Sequence, residues 1–381
     1  MSVRALPVTF TFSFEVQSLL LYRLKQVAPF RTSIERKAVG SKPTGVGLLS
    51  GGLDSAVATM LVRDAGADVE CLHFFTGFCV TGHNSRVGRR DRPIANHALQ
   101  VAAEMGVRVE VLDVAEDYLP MVLEPKFGYG RNMNPCVDCR VFMLERAKQY
   151  MKKIGADFIF TGEVLGQRPK SQLKRSLRTI DSEIGLAGKL LRPLSARLLP
   201  PTEVESDGRV DRSKLLDIHG RGRKQQIALA RKYGISQFMQ PAGGCCLLTD
   251  KSYSEKLRDL VEQRNGDRLQ VQDIFVLGVG RHFRFSPELK LIVGRDETES
   301  RFLGHYARDH WLVTVSGFAG PTAIVMGKLA EDDICRMASV VARYSDGKHE
   351  PVVEVRFTLG GRARAVTTKP ATEEFIDHYR V

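Results

Sequence analysis

Val46-Gly47-Leu48-Leu49-Ser50-Gly51-Gly52-Leu53-Asp54-Ser55-Ala56-Val57-Ala58 passes from an apolar run into a helical pattern through a pair of glycines. Val46–Leu49 predicts a buried strand and 54–65 a helix, so the loop between them opens a helix at the end of a strand. Backbone N–H groups and the helix dipole there converge on a phosphate chain. The two glycines let the backbone approach closely, and Ser50 and Ser55 can donate hydroxyl hydrogen bonds. Asp54 can cap the helix or help place Mg²⁺. The Walker lysine pattern is missing from this loop, which argues against ordinary cleavage between the β- and γ-phosphates.

Outward from the loop, short apolar runs alternate with helical patterns. Strands are predicted at Val69–Phe75, 107–113 and Phe158–Thr161, and helices at 94–105 and 138–154. That alternation predicts an α/β fold with a doubly wound parallel sheet. Residues 162–250 are richer in Arg, Lys, Pro and Gly, with one clear helix expected near 223–233. A helix at 252–264 is followed by Asn265-Gly266-Asp267, a turn sequence read as a domain boundary. Beyond it, strands are expected at Ile274–Leu277, Leu289–Val293, 312–315 and 352–357, and helices near Glu297–Tyr306 and 332–343, giving a smaller α+β domain. The expected organisation is an extension at 1–44, a nucleotide domain at 45–265 and a second domain at 266–381.

The bulk numbers fit this division. The chain has 381 residues, 43% hydrophobic and 26% charged, enough for two ordinary cores and without an apolar run of membrane-spanning length. A cytoplasmic protein with no membrane partner is expected. Phe10, Phe12, Phe14 and Leu19 to Leu21 superficially suggest a targeting signal, but Glu15, Gln17 and Ser18 interrupt them. The first 44 residues are read as an extension packing on the domain or a poorly ordered tail; a misassigned start codon is the other reading. The net charge of +12 is unevenly spread: residues 164–235 hold 16 basic and 7 acidic side chains, whereas residues 266–381 hold 16 of each. A block with a net +9 suits a phosphate-rich partner, or forms a solvated basic face.

Ser50–Ser55 resembles the SGGxDS loop of the ATP pyrophosphatase superfamily, whose members cleave ATP between the α- and β-phosphates to form an adenylate. This implies an adenine nucleotide alpha hydrolase-like domain with ATP and Mg²⁺ as cofactors. A second segment, Thr161-Gly162-Glu163-Val164-Leu165-Gly166-Gln167-Arg168-Pro169-Lys170-Ser171-Gln172, follows the fourth strand and resembles the TGE-x-LGQ-x-x-SQ stretch of the 4-thiouridine synthetases. Leu191-Arg192-Pro193-Leu194 resembles the RPL that follows it there. The resemblance covers roughly residues 44–250. It implies that Ser50, Gly51, Gly52, Asp54, Ser55, Gly162, Gly166, Gln167 and Ser171 border ATP and the acceptor base. The reaction it implies is tRNA sulfur transfer: a uridine carbonyl is adenylated and its oxygen replaced by sulfur, to a 4-thiouridine-type or 2-thiouridine-type product. On this reading no counterpart is expected in these 381 residues for the N-terminal RNA-binding domains or the rhodanese extension of the best-known synthetases, so RNA capture and sulfur supply are expected to be arranged differently. In the second domain, Val279-Gly280-Arg281-His282-Phe283-Arg284, Ile292-Val293-Gly294-Arg295-Asp296 and Ala342-Arg343-Tyr344-Ser345 resemble the NFACT RNA-binding domain, with Asp296 and Ser300 where asparagines are expected. Arg281, His282 and Arg295 would grip phosphate or stack on a base. Within the basic block, Arg175, Arg178, Arg221, Arg223 and Lys224 are the expected tRNA contacts.

Seven cysteines, an odd number, include Cys136 and Cys139 in Asn134-Pro135-Cys136-Val137-Asp138-Cys139, and the pair Cys245-Cys246 after Pro241-Ala242-Gly243-Gly244. That pattern is not a secreted disulfide framework and points to metal or sulfur chemistry. Two plus one cysteines suggest an iron–sulfur cluster, 4Fe–4S with three Cys ligands and one open iron able to present sulfide. Persulfide chemistry on Cys245 or Cys246, and zinc, are the alternatives. Cys71, Cys79 and Cys335 are read as small buried hydrophobes or bystanders. The sulfur donor would be a cysteine desulfurase or sulfide itself, and a homodimer stays open. Two other functions compete: a ligase or sulfur-transfer enzyme with the same loop acting on a small molecule, and a non-catalytic, nucleotide-sensing RNA-binding factor.

Overall fold

In the computed structural model, strand β1 (Thr44–Leu48) enters the glycine loop and helix α1 (Leu53–Asp64) leaves it. Residues 42–80, 96–238, 246–264, 269–307 and 309–381 are described. The alternation continues through β2 (Asp68–Phe75), α2 (His97–Met105), β3 (Arg108–Asp113), α3 (Ala115–Leu123), α4 (Cys136–Ile154) and β4 (Phe158–Thr161). Helix α5 (Lys174–Ile184), the short β5 (Leu190–Leu191), α6 (Glu203–Ser206) and α7 (Lys224–Lys232) complete the first half. Its strands lie in the order β3-β2-β1-β4-β5, all parallel. Because the chain moves to opposite sides of β1 after β1 and after β3, a crevice opens at the carboxyl ends of β1 and β4, where such sheets place ligands.

Packing explains the apolar runs. Helix α1 is buried along nearly its whole length, from Leu53 to Val62, because it is covered by the sheet, by α2 and by α7. Val46, Leu72 and Ile159 on the opposite sheet face pack on Leu144, Ala147 and Met151 of α4. A helix covered on several sides needs small residues, and Ala56 and Ala58 supply them.

Helices α8 (Lys251–Gln263) and α9 (Val271–Phe275) lead into the second half: β6 (Arg281–Ser286), β7 (Leu289–Val293), α10 (Glu297–Tyr306), β8 (Trp311–Val315), β9 (Ala323–Met326), α11 (Glu331–Arg343), β10 (Val353–Leu359), β11 (Arg362–Thr368) and α12 (Glu373–Tyr379). The six strands form an antiparallel sheet in the order β11-β10-β8-β9-β7-β6. Along β10 the buried Val353, Val355 and Phe357 alternate with exposed Glu354 and Arg356, the period of a sheet with one covered face. That face packs on Met337, Ala338 and Val341 of α11, while Leu303 of α10 meets Ile292 and Ile324 on the other.

Residues 42–381 form one compact unit. Tyr253, Leu257, Ile274 and Leu277 share an apolar cluster with Phe78, Tyr118, Leu119 and Val122 of the first half. Polar contacts fix the same junction: Asp259 of α8 accepts from Arg284 at 2.9 and 2.7 Å and from Lys290 at 2.7 Å, and Lys256 donates to the Gly280 carbonyl.

Two expectations are corrected. Ile274–Leu277 is helical, ending α9 and continuing as a 3₁₀ turn at Val276–Gly278. A four-residue apolar run cannot distinguish a strand from a helix buried between two halves, and Gln270 with Asp273 caps it as a helix. The segment 162–250 holds a second substantial helix, α5, whose Leu177, Ile180 and Ile184 form a buried stripe under a basic surface. The boundary expected at Asn265–Asp267 and the extension through residue 41 lie outside the described residues.

Candidate active site

The loop between β1 and α1 is shaped by its glycines and serines. Gly51 adopts φ +77°, and a Cβ there would come within 2.7 Å of the Ala98 nitrogen, so only glycine lets the head of α2 close on the loop. Ser55 Oγ lies 3.1 Å from Ser50 Oγ and donates to the Gly52 carbonyl at 2.9 Å, which folds the loop over the first turn of α1. Gly52 is the N-cap of α1 and makes no side-chain cap, so the first-turn N–H groups keep their capacity for an anion.

The second segment is pressed onto that turn. A Cβ on Gly162 would stand 2.5 Å from the Ser55 nitrogen, so this glycine lets the end of β4 touch α1. Beside it Glu163 is 2% exposed and accepts from Arg192 Nε at 3.0 Å and Thr161 Oγ1 at 3.1 Å. Arg192 in turn binds Asp181 of α5 at 2.7 and 3.1 Å. Burial alone would raise the Glu163 carboxyl, but Arg192 and then Arg140 outweigh it and hold the pKa below the usual carboxylate range. Arg140 Nε lies 3.4 Å from Glu163 and immediately follows Cys139, so this pair ties the cysteine-bearing head of α4 to the strand end that presses on the loop.

A third wall comes from α7. Leu165 bridges His219, and the Gly220 nitrogen donates to the Leu165 carbonyl, which leads the chain along the second segment and sets the head of α7 beside Asp54. Arg223 Nη2 is 3.9 Å from Asp54 Oδ2. Gln167 and Gln226 also turn toward Asp54. None of these amides closes a hydrogen bond of normal geometry: among the described residues, Asp54 Oδ1, Gln167 Nε2 and both ends of Gln226 are buried without a partner. Burial pushes the Asp54 pKa up, offset in part by Arg223, Gln167, Arg168 and Gln226. Asp54 Oδ1, buried and without a partner among the described residues, is a hard oxygen of the kind a Mg²⁺ ion would take. Gly166, at φ +75°, turns the second segment, and Gln167 and Ser171 are 8% and 2% exposed.

The cysteines divide differently from the sequence pattern. Cys136 begins α4 and donates to Asn134 Oδ1 at 3.1 Å. Cys139 and Cys246 pack into the cluster around Tyr118, and Cys79 joins them. Burial, followed by the thiols of Cys139, Cys246 and Cys79, pushes the Tyr118 hydroxyl well above its usual range. Cys79 is paired with Cys246 by an antiparallel bridge, and Thr76 Oγ1 lies 3.3 Å from its sulfur. Cys79, read from the sequence as a buried hydrophobe or bystander, thus lies beside Cys246, and its sequence neighbourhood carried no signal of that placement. Cys245 falls outside the described residues. Among the described residues, no three His, Cys, Asp or Glu side chains are grouped closely enough to hold a metal ion.

The expected RNA contacts are also sorted. Arg175, Arg178, Arg221 and Lys224 are exposed, whereas Arg223 leans on Asp54. Arg209 and Arg212 of the basic block are taken up by Asp157, Asp207 and Glu205, so the block is not one uniform face. In the second half, Arg281 lies over the Tyr344 ring at 4.5 Å, and Arg295 is bound to Glu299. His282 is 1% exposed with Nε2 on the Val279 carbonyl, so the expectation that it contacts RNA is corrected. Asp296, in place of an asparagine, caps α10 by accepting from the Glu299 nitrogen.

A parallel sheet with an uncapped helix at its switch point and a half-buried carboxylate beside it fits an α/β domain of the adenine nucleotide alpha hydrolase-like type. Residues 40–197 match the family described as Thiamine biosynthesis protein (ThiI), and residues 280–380 match the NFACT protein RNA binding domain. The first match falls in the first half of the chain and the second in the antiparallel-sheet half. Among curated relatives, a "Probable tRNA sulfurtransferase" of Lysinibacillus sphaericus (strain C3-41) is 32% identical over 180 residues, 47% of this chain and 41% of that one. The "tRNA-specific 2-thiouridylase MnmA" of Marinobacter nauticus is 23% identical over 339 residues, 86% of this chain and 75% of that one. The chain spans 41% of the length of the first of these relatives and 62% of a "tRNA-specific 2-thiouridylase MnmA" of Mesoplasma florum. A solved 4-thiouridine synthetase in complex with RNA and bound ATP aligns with 69% of this chain and 65% of that one, at 17% identity and a TM-score of 0.38. Among the described residues no helix is long and apolar enough to cross a membrane.

Proposed function

We propose that this chain is an ATP-dependent tRNA sulfurtransferase that adenylates a uridine carbonyl and replaces its oxygen by sulfur. The observation that carries the reading is the Arg140–Glu163 pair, which joins the thiol-bearing head of α4 to the segment closing on the nucleotide loop. Activation and sulfur delivery need to meet at one carbon, and a contact tying these two segments together supports the reading.

In this reading the N–H groups of Gly51 to Ser55 hold the phosphates, Asp54 would hold a Mg²⁺ that would shield their charge, and the uridine oxygen attacks the α-phosphorus. Pyrophosphate leaves. Sulfur then adds to the activated carbon, either as hydrosulfide or as the outer sulfur of a persulfide whose S–S bond a second cysteine cleaves by forming a disulfide, and AMP departs with the former carbonyl oxygen. With ATP, Mg²⁺ and tRNA the protein should release AMP and pyrophosphate, and Asp54→Asn should abolish the release. Thin-layer separation of labelled nucleotide is the check, and ADP as the only product would overturn the reading.

Sulfur delivery falls to Cys139 and Cys246, which share the cluster around Tyr118, together with Cys136 and Cys245 of the two cysteine motifs. Cys139→Ala and Cys246→Ala should each abolish thiolated nucleoside in tRNA, measured by mass spectrometry, while AMP is still formed. Iron and acid-labile sulfide measured on the same anaerobic samples identify the carrier. Iron lost in both variants marks a cluster, and thiolation by an iron-free protein marks a persulfide. Thiolation that survives both substitutions would remove the cysteines from the mechanism.

A further inference from the structure

Cys79 lies just past the end of β2, beyond the turn Thr76-Gly77-Phe78, and faces Cys246 across an isolated antiparallel bridge. The Leu247 nitrogen donates to the Phe78 carbonyl at 2.9 Å, one residue to either side of that pair. A bridge whose hydrogen bonds fall on the flanking residues is the non-hydrogen-bonded kind, in which the two Cα atoms stand about 4.5 Å apart and the side chains lie close. That separation is inside the range from which two cysteines close a disulfide, about 4.4–6.8 Å. Both residues are partly exposed, unlike the buried Cys71. The turn is held by Phe78, fully buried against Tyr118 and Tyr253, and by the Thr76 hydroxyl, 3.3 Å from the Cys79 sulfur. Cys139 reaches the same cluster from α4, but its sulfur donates to Met143 Sδ at 4.0 Å on its own helix. Among the described residues no backbone bridge sets Cys139 opposite Cys246.

We infer that Cys79, which belongs to neither cysteine motif, is the resolving thiol of the sulfur transfer and closes a disulfide with Cys246. This rests on the sulfurtransferase reading, with Cys246 as the persulfide carrier. The outer sulfur of the Cys246 persulfide attacks the adenylated uridine carbon, AMP leaves with the former carbonyl oxygen, and uridine and Cys246 are joined through an S–S bond. The Cys79 thiolate then attacks the Cys246 sulfur and breaks that bond. Its electron pair goes to the uridine sulfur, and the base takes up the proton that Cys79 released. The products are thiouridine and a Cys79–Cys246 disulfide, which a dithiol reductant returns to two thiols before the next round.

The experiment is a single turnover of the full chain, charged with sodium polysulfide, desalted, and given ATP, Mg²⁺ and tRNA with no other thiol present. After a quench with N-ethylmaleimide, fragmentation of the peptides in the mass spectrometer separates Cys245 from Cys246 and Cys136 from Cys139. A Cys79–Cys246 disulfide should appear in step with thiolated nucleoside, and only when both ATP and tRNA are supplied, while Cys139 carries the maleimide. Cys79→Ser should stall after the first attack: AMP appears, turnover is lost, and a covalent protein–tRNA adduct accumulates from which dithiothreitol releases thiolated tRNA. Thiolated nucleoside formed with Cys246 joined to Cys136 or Cys139, or with no disulfide at all, overturns the inference and leaves sulfur transfer standing. So does Cys79→Ser protein that turns over at the unmodified rate without an adduct. An unmodified chain that forms no thiolated nucleoside removes the sulfurtransferase reading, and the inference falls with it.

Discussion

Asp54 shows how a functional residue strains the fold that holds it. Its carboxylate is buried at the foot of the nucleotide loop, and burial raises its pKa despite Arg223, Gln167, Arg168 and Gln226. A raised carboxyl pKa means that the folded chain binds a proton more tightly than the unfolded one. Stability therefore falls as pH rises from the ordinary carboxylate range through the folded pKa, and the penalty persists at neutral pH. Asp54→Asn should thus melt at the same or a higher temperature at pH 7, with a flatter pH dependence in the acidic window, although ATP turnover is lost. A clearly lower melting temperature at pH 7 would mean that the carboxylate is needed for folding. Cys71 marks the opposite case: buried beside Thr59 with its pKa pushed up to about 12, it is a core residue and not a nucleophile.

Among the elements, the strand end β4 depends on a buried ionic chain. Glu163 and Arg192 are both nearly excluded from solvent, and Asp181 and Arg140 extend the pair to α5 and α4. Glu163→Ala would leave Arg192 buried with Asp181 alone, and breaking such a pair from one side costs about 3–5 kcal/mol. Denaturant unfolding should show a loss of that size. Because the Glu163 pKa is held below its ordinary value, its contribution is present above the usual carboxylate range and is lost as pH falls through the folded pKa. A loss under 1 kcal/mol would show that the network contributes little. None of this chain was legible in the sequence beyond the likeness of 161–172 and 191–194, since charge partners distant in sequence leave no local pattern. The strands β1 to β4 were legible because doubly covered parallel strands read as apolar runs. Helix α5 was hidden by Lys174, Arg175 and Arg178, which mask its narrow apolar stripe, and β11 by a nearly unburied surface. The spacing of Gln226 and Ala230 on the covered side of α7 was the available hint that this glutamine faces inward. Arg223 was grouped with the exposed arginines because composition counts charge without saying which way it points.

At the scale of the whole molecule, the uneven charge becomes two kinds of positive side chain. Arg192, Arg209 and Arg212 are used up in holding the fold, and Arg223 is turned into the nucleotide crevice. Arg175 and Arg178 on α5, with Arg221 and Lys224 at the approach to α7, remain exposed on the elements that flank the crevice. On the proposed function these four meet tRNA phosphates, which position the substrate without reading its sequence. Selection then falls to the second half, where Arg281 on the Tyr344 ring offers a flat cationic surface to an unpaired base. Replacing Arg175, Arg178, Arg221 and Lys224 together by Gln should weaken tRNA binding and reduce the slope of its logarithm against salt by about one unit or less per lost contact. ATP affinity should not change, because Arg223 is left in place. Filter binding across a salt series separates the outcomes. Unchanged affinity with an unchanged slope would mean that these side chains are only a solvated face and that RNA reaches the crevice from another side.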